Sequence, residues 1–188
     1  PVTDWARRAW IGLQARALLV AGMDMQALVR FEDLQRLCPD DARVLAVRAH
    51  LEERLGRRER AIGLQRALTA LDPGSAAAWF NLGYLLEKAD RAEDACQAFR
   101  EATARSPALD RAWYGLGLAL IRLGRLDEAA VALRRNTELQ PMSPHGWYQL
   151  ARVHVDRCEP EEAAKIIHHL RQFEPKVARQ LERETGLG

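Results

Sequence analysis

The chain has 188 residues, 48% of them hydrophobic and only 6% aromatic, and its 28 Lys and Arg nearly balance 26 Asp and Glu for a formal charge of +2. That balance gives no field that would draw nucleic acid or a membrane surface, and no stretch reaches the ~20 apolar residues needed to cross a bilayer. Cys38, Cys96 and Cys158 are odd in number, far apart and in no C-x-x-C spacing, so neither a disulfide framework nor a zinc site is indicated and a reducing, cytoplasmic compartment is expected. The chain opens on Pro1 without a signal-peptide pattern, which is the expectation for a fragment cut from a longer protein.

A single period orders the rest. Pro39, Pro73, Pro107, Pro141 and Pro175 stand 34 residues apart, and Trp79, Trp113 and Trp147 repeat at the same interval. A fixed period of this length predicts stacked repeats forming one elongated unit, and it argues against an enzyme, since chemistry rests on unique residues.

Residues 1–7 read as an N-terminal extension of the first helix. The unit 8–41 carries apolar Ile11, Ala15, Leu18, Ala27, Phe31 and Leu34, with Gln14 out of pattern and a polar break at Gly22-Met23-Asp24. The unit 42–75 breaks at Gly56-Arg57-Arg58 and diverges: Arg48, Glu52 and Gln65 occupy positions that are apolar elsewhere. Its stripe of Val44, Val47, Leu51 and Leu55 is offset by one residue, which predicts a first helix rotated relative to its counterparts or leaning on a segment outside this chain. The units 76–109, 110–143 and 144–175 are regular, with breaks at Ala89-Asp90-Arg91, Gly124-Arg125-Leu126 and Cys158-Glu159-Pro160. In residues 176–188, Val177, Ala178 and Leu181 share one face and Arg179, Glu182 and Arg183 another, which predicts a C-terminal capping helix and tail.

Each unit is read as helix, turn, helix. Gly at the break supplies the left-handed residue that ends a helix, and Asp can cap the next. The residue before each Pro is pushed out of helical geometry, closing the second helix, and Asp40, Ser75, Asp110 and Ser143 sit at or near the restarts. Small residues at Gly83, Gly117, Ala95, Ala129 and Ala163 allow close approach while Trp and Leu fill the space between helices. On that reading Trp113→Ala costs about 3–5 kcal/mol.

Trp79, Leu82, Gly83, Ala95, Phe99, Ala102 and Pro107 in the third unit resemble the tetratricopeptide-repeat pattern W-x-x-L-G, A-x-x-x-F, P. Trp113, Leu116, Gly117, Ala129, Leu133, Asn136 and Pro141 repeat it, as do Trp147, Leu150, Ala151, Ala163, Ile167, Leu170 and Pro175. The resemblance covers about residues 8–175. It implies an all-α fold, a right-handed superhelical α-solenoid of five stacked repeats plus the capping helix.

The resemblance further implies a concave groove lined by the first helix of each unit. The groove positions are Phe80, Asn81 and Tyr84 in the third unit, Arg111 and Tyr114 in the fourth, and His145, Tyr148, Gln149 and Arg152 in the fifth. Phe80, Tyr114 and Tyr148 would then make an aromatic column suited to an extended or helical peptide, although aromatics at this position also serve packing alone. The first two units offer a more charged lining of Arg16, Arg43, His50, Glu53 and Arg54. The carboxylate clamp that some members use for chaperone tails is incomplete, because Ala46, His50 and Gly115 stand at its other positions.

The expected function is a non-catalytic scaffold for a protein or peptide partner, with no cofactor, no metal, no nucleic acid and no membrane insertion, and with self-association through the end repeats as a further possibility. The alternative is the substrate-selecting arm of a larger enzyme such as a glycosyl- or sulfo-transferase. Gly115-Leu116-Gly117 lacks the preceding strand and last Gly of a dinucleotide fingerprint. His154 and Cys158 read as a helix-end coincidence, His168 and His169 as surface residues, and the Arg54–Arg60 run as a solvated loop.

Overall fold

A computed structural model describes residues 2–187; Pro1 and Gly188, which belong to the expected extension and tail, lie outside the described residues. Every regular element among them is an α-helix: α1 (Val2–Val20), α2 (Asp24–Leu37), α3 (Ala42–Arg54), α4 (Arg58–Leu71), α5 (Ala76–Lys88), α6 (Ala92–Arg105), α7 (Asp110–Arg122), α8 (Leu126–Leu139), α9 (Pro144–Asp156), α10 (Pro160–Phe173) and α11 (Pro175–Thr185).

Both boundary signals act through the backbone. At the break inside each repeat one residue takes the left-handed conformation: Gly22, Asp90 and Cys158 at φ 71°, 60° and 61°, with Gly56 and Gly124 at 74° and 69°. The amide three residues beyond the helix then reaches back to a carbonyl of its last turn, as Arg57 does to Glu52 at 2.8 Å and Arg125 to Leu120 at 2.9 Å. Before each Pro the chain leaves helical geometry, with Cys38, Asp72, Ser106, Gln140 and Glu174 at φ between −140° and −130°. The capping expectation needs correction. Met23, Arg57, Arg91, Arg125 and Glu159 stand at the N-caps of the second helices without a side-chain bond, and Asp24 lies inside α2, where its charge complements the helix dipole. Asp41, not Asp40, caps α3 by accepting from the Arg43 and Val44 amides.

The Trp and Pro periods are two ends of one contact. The indole Nε1 of Trp79, Trp113 and Trp147 donates to the carbonyl of Pro73, Pro107 and Pro141 at 3.0, 2.9 and 2.8 Å. Each indole therefore ties a first helix to the loop before it. These rings are half-buried rather than enclosed, a departure from the space-filling role expected, because reaching the loop carbonyl holds them at the rim of the core.

Contacts divide the chain into two compact units, one ending at Leu85 and the other beginning at Leu86, inside α5. In the first, α1 to α4 pack in sequential pairs around Ile11, Leu28, Phe31, Leu34, Val44 and Leu51, and a second cluster joins Leu45, Leu68 and Ala78. Gln65 is buried and donates to the Ala78 carbonyl at 3.0 Å, so this polar residue at an apolar position is satisfied by the next helix. In the second unit, α6 to α11 pack in sequence and α11 also touches α9, burying Phe99, Leu120, Leu133, Val153, Ile167 and Leu181.

Helix α3 is not rotated. It buries Val44, Ala49, Leu51 and Glu52, the 34-residue counterparts of Ala78, Gly83, Leu85 and Leu86, so the register is kept. The offending polar residues are paired instead. Arg48 donates to Gln35 and to Glu32, and Glu52, 1% exposed, lies 3.6 and 3.9 Å from the Arg57 and Arg60 guanidinium groups. The arginine run is thus partly recruited to a buried carboxylate, with Arg54 on Asp24 at 3.0 Å, and is not simply solvated.

Candidate functional site

The nine candidate residues fall on three first helices, and none is buried. Phe80, Asn81 and Tyr84 are on α5 in the first unit, Phe80 half-buried and the other two exposed. The remaining six are in the second unit. Arg111 and Tyr114 are on α7, and His145, Tyr148, Gln149 and Arg152 are on α9. Tyr148 and Arg152 are four residues apart, hence on one face of their helix.

In the second unit Tyr114, His145, Tyr148 and Gln149 converge on one cleft of about 340 Å³. Its opposite wall is α11, which brings Val177 and Gln180. Small residues make the scaffold behind it rigid. A Cβ on Gly117 would lie 2.6 Å from Leu133, and one on Gly115 would lie 2.6 Å from the Phe99 ring, so α7 is pressed onto both neighbouring second helices. Gly115, at a groove position by spacing, is thereby taken up by packing. Gly146 likewise leaves room for Asn136, whose amide donates to the Asp110 carbonyl at 2.9 Å.

The polar chemistry of the cleft centres on Tyr148. Its hydroxyl donates to Glu184 Oε2 at 2.7 Å and accepts from Arg152 Nη1 at 3.4 Å, while the guanidinium lies 5.9 Å from the Tyr148 ring centroid. The bond to Tyr148 raises the Arg152 pKa above its ordinary value. Hydrogen bonds from Gln180 and then Tyr148 lower that of Glu184. The constellation therefore presents donors to an acceptor oxygen, and the chain fills that place with its own carboxylate. Gln180 and Glu184 were missed by the sequence reading, which divided α11 into an apolar and an outward face. Their i, i+4 spacing on the border between those faces is the signal that marks them.

The other titratable candidates are structural. His154 is buried with Nδ1 2.7 Å from Glu159 Oε2, and Cys158 is exposed at the left-handed turn. His168 is exposed, but His169 packs edge-on against Trp147 at 4.7 Å and tilted against Phe173 at 5.2 Å, because its face of α10 meets α9. Among the described residues no group of three His, Cys, Asp or Glu is placed to hold a metal ion, and no helix is long and apolar enough to cross a membrane.

Two family models, each described as tetratricopeptide repeat, match residues 46–110 and 88–148, together more than half of the chain. The chain belongs to the tetratricopeptide-repeat superfamily. Solved structures of similar fold include the MamA protein, at 20% identity over 92% of this chain and 94% of that one with a TM-score of 0.83. MamA from Desulfovibrio magneticus RS-1 is similar at 22% identity over 94% and 96%, TM-score 0.78. A third, YrrB, described as a tetratricopeptide-repeat protein with an unusual peptide-binding site, matches at 17% identity over 90% and 88%, TM-score 0.79. No curated protein matches the chain. These likenesses place the fold among the tetratricopeptide-repeat α-solenoids.

Proposed function

We propose that the chain is a non-catalytic scaffold that holds a peptide segment of a partner protein against the first helices of its repeats, with the cleft between α7, α9 and α11 as the principal site. The observation that carries this reading is the convergence of two half-buried tyrosines, an exposed His and an amide on one cleft, where the Tyr148 hydroxyl already holds a carboxylate and accepts from Arg152. Tyr114 and Tyr148 supply rigid contact area at low entropic cost, and Gln149 and Arg152 orient the peptide's polar groups. The likeness to YrrB, whose description names a peptide-binding site, supports the same class of ligand. Arg111, on α7, is proposed to extend this contact, and Phe80, Asn81 and Tyr84, on α5, are proposed as peptide-contacting positions of the first unit.

The test is affinity capture from lysate with mass spectrometry, comparing the natural chain with Tyr114→Ala/Tyr148→Ala. Because both rings are half-buried, helicity stays intact and the captured partner is lost or strongly depleted. Unchanged capture would remove the cleft from the interface.

A further inference from the structure

A second cleft, of about 700 Å³, lies wholly in the first unit between α1 and α3 and is floored by α2. Its floor is Phe31 and Leu34, both buried, and its walls include the partly buried Leu19 and Val47. The extra N-terminal turns of α1 add Trp5, 73% exposed, at one end. Gly12 keeps the cleft open: a Cβ built there meets no atom within 4 Å. Its size falls within the ~300–1,000 Å³ usual for ligand-binding clefts.

The rim is mainly basic, with three arginines against one carboxylate. Arg8 and Arg16, four residues either side of Gly12 on α1, make no ion pair among the described residues, and Arg43 stands on the facing helix. The one carboxylate of the lining, Asp41, is already engaged, capping α3 and lying 3.6 Å from Arg43. An apolar trough bordered by the unpaired guanidinium groups of Arg8 and Arg16 is complementary to a segment with apolar side chains on one face and carboxylates on its flanks. We infer that this cleft docks an acidic amphipathic helix of a partner protein. It is a site separate from the tyrosine cleft, with its own ligand chemistry. Burial of the helix's leucines on Phe31 and Leu34 gives affinity, while Arg8, Arg16 and Arg43 select acidic over basic flanks and set the register.

The probe is a synthetic amphipathic helix with leucines on one face and glutamates on both flanks, followed by fluorescence anisotropy against the whole chain. Binding that weakens with salt is expected, with the lysine-flanked version of the peptide failing to bind. Arg8→Glu/Arg16→Glu weakens the acidic peptide by about tenfold or more. Gly12→Leu fills the trough without a clash and abolishes binding while leaving the thermal midpoint no lower. Cys38, half-buried in the cleft lining, is slowed in maleimide labelling by the peptide, whereas exposed Cys158 is not. Tyr114→Ala/Tyr148→Ala leaves this binding unchanged, so the two sites stand or fall separately. Equal binding of both peptides, full binding by Gly12→Leu, or binding of anionic phosphatidylglycerol vesicles in place of the peptide would overturn the inference.

Discussion

At Cys158 the chain holds a side chain where three of its own repeats hold glycine, and at φ 61° the Cβ crowds the following carbonyl. Cys158 is exposed and free, so nothing offsets that cost. Cys158→Gly is expected to raise stability by about 1 kcal/mol, read as a higher midpoint in a denaturant melt. Asp90, at the same position in its repeat, differs because its carboxylate pairs with Arg122 across the next break. The Gly and Pro positions were legible in the sequence because backbone conformation is written locally. The position of His169 was not, because only packing between helices brings Trp147 of α9 onto it, although Phe173 lies one turn further along α10.

For elements, the 34-residue register is the controlling fact, and it overrode local hydrophobicity in α3. The one-residue offset of apolar residues suggested rotation, yet rotating one helix would break the packing of α3 against both α2 and α4, and pairing Glu52 with arginines is the smaller cost. Leu86 and Leu120 are buried at the counterparts of Glu52. Glu52→Leu is therefore expected to stabilise by about 1–2 kcal/mol, since Arg57 and Arg60 are 35% and 66% exposed and can turn to solvent. A lower melting temperature for this variant would mean that the ion pairs, not the register, hold α3. Helix α11 behaves as a further first helix: Leu181 is fully buried, and Leu181→Ala is expected to cost about 2–5 kcal/mol in a urea melt. The amphipathic reading found its buried face but not its flank. Amphipathicity reports what faces the core, and Glu184 instead meets the Tyr148 hydroxyl.

Over the whole molecule, near-neutral charge and repeated small residues give a chain whose sequence mostly specifies stacking, with function left to the side chains that stacking does not consume. Fold class was readable because many repeats state the same rule. The clefts were only partly so. Spacing nominated Tyr114, Tyr148 and Arg152, but the wall formed by α11 and the trough opened by Gly12 depend on distances between helices, which periodicity does not encode. The most direct test of the scaffold assignment is site-specific photo-crosslinking with benzoylphenylalanine placed at Tyr148 and, as control, at Val131, which is 65% exposed on α8. In the presence of a captured partner, crosslinks should form from position 148 and not from 131; crosslinks from 131 with none from 148 would contradict the cleft as the binding site.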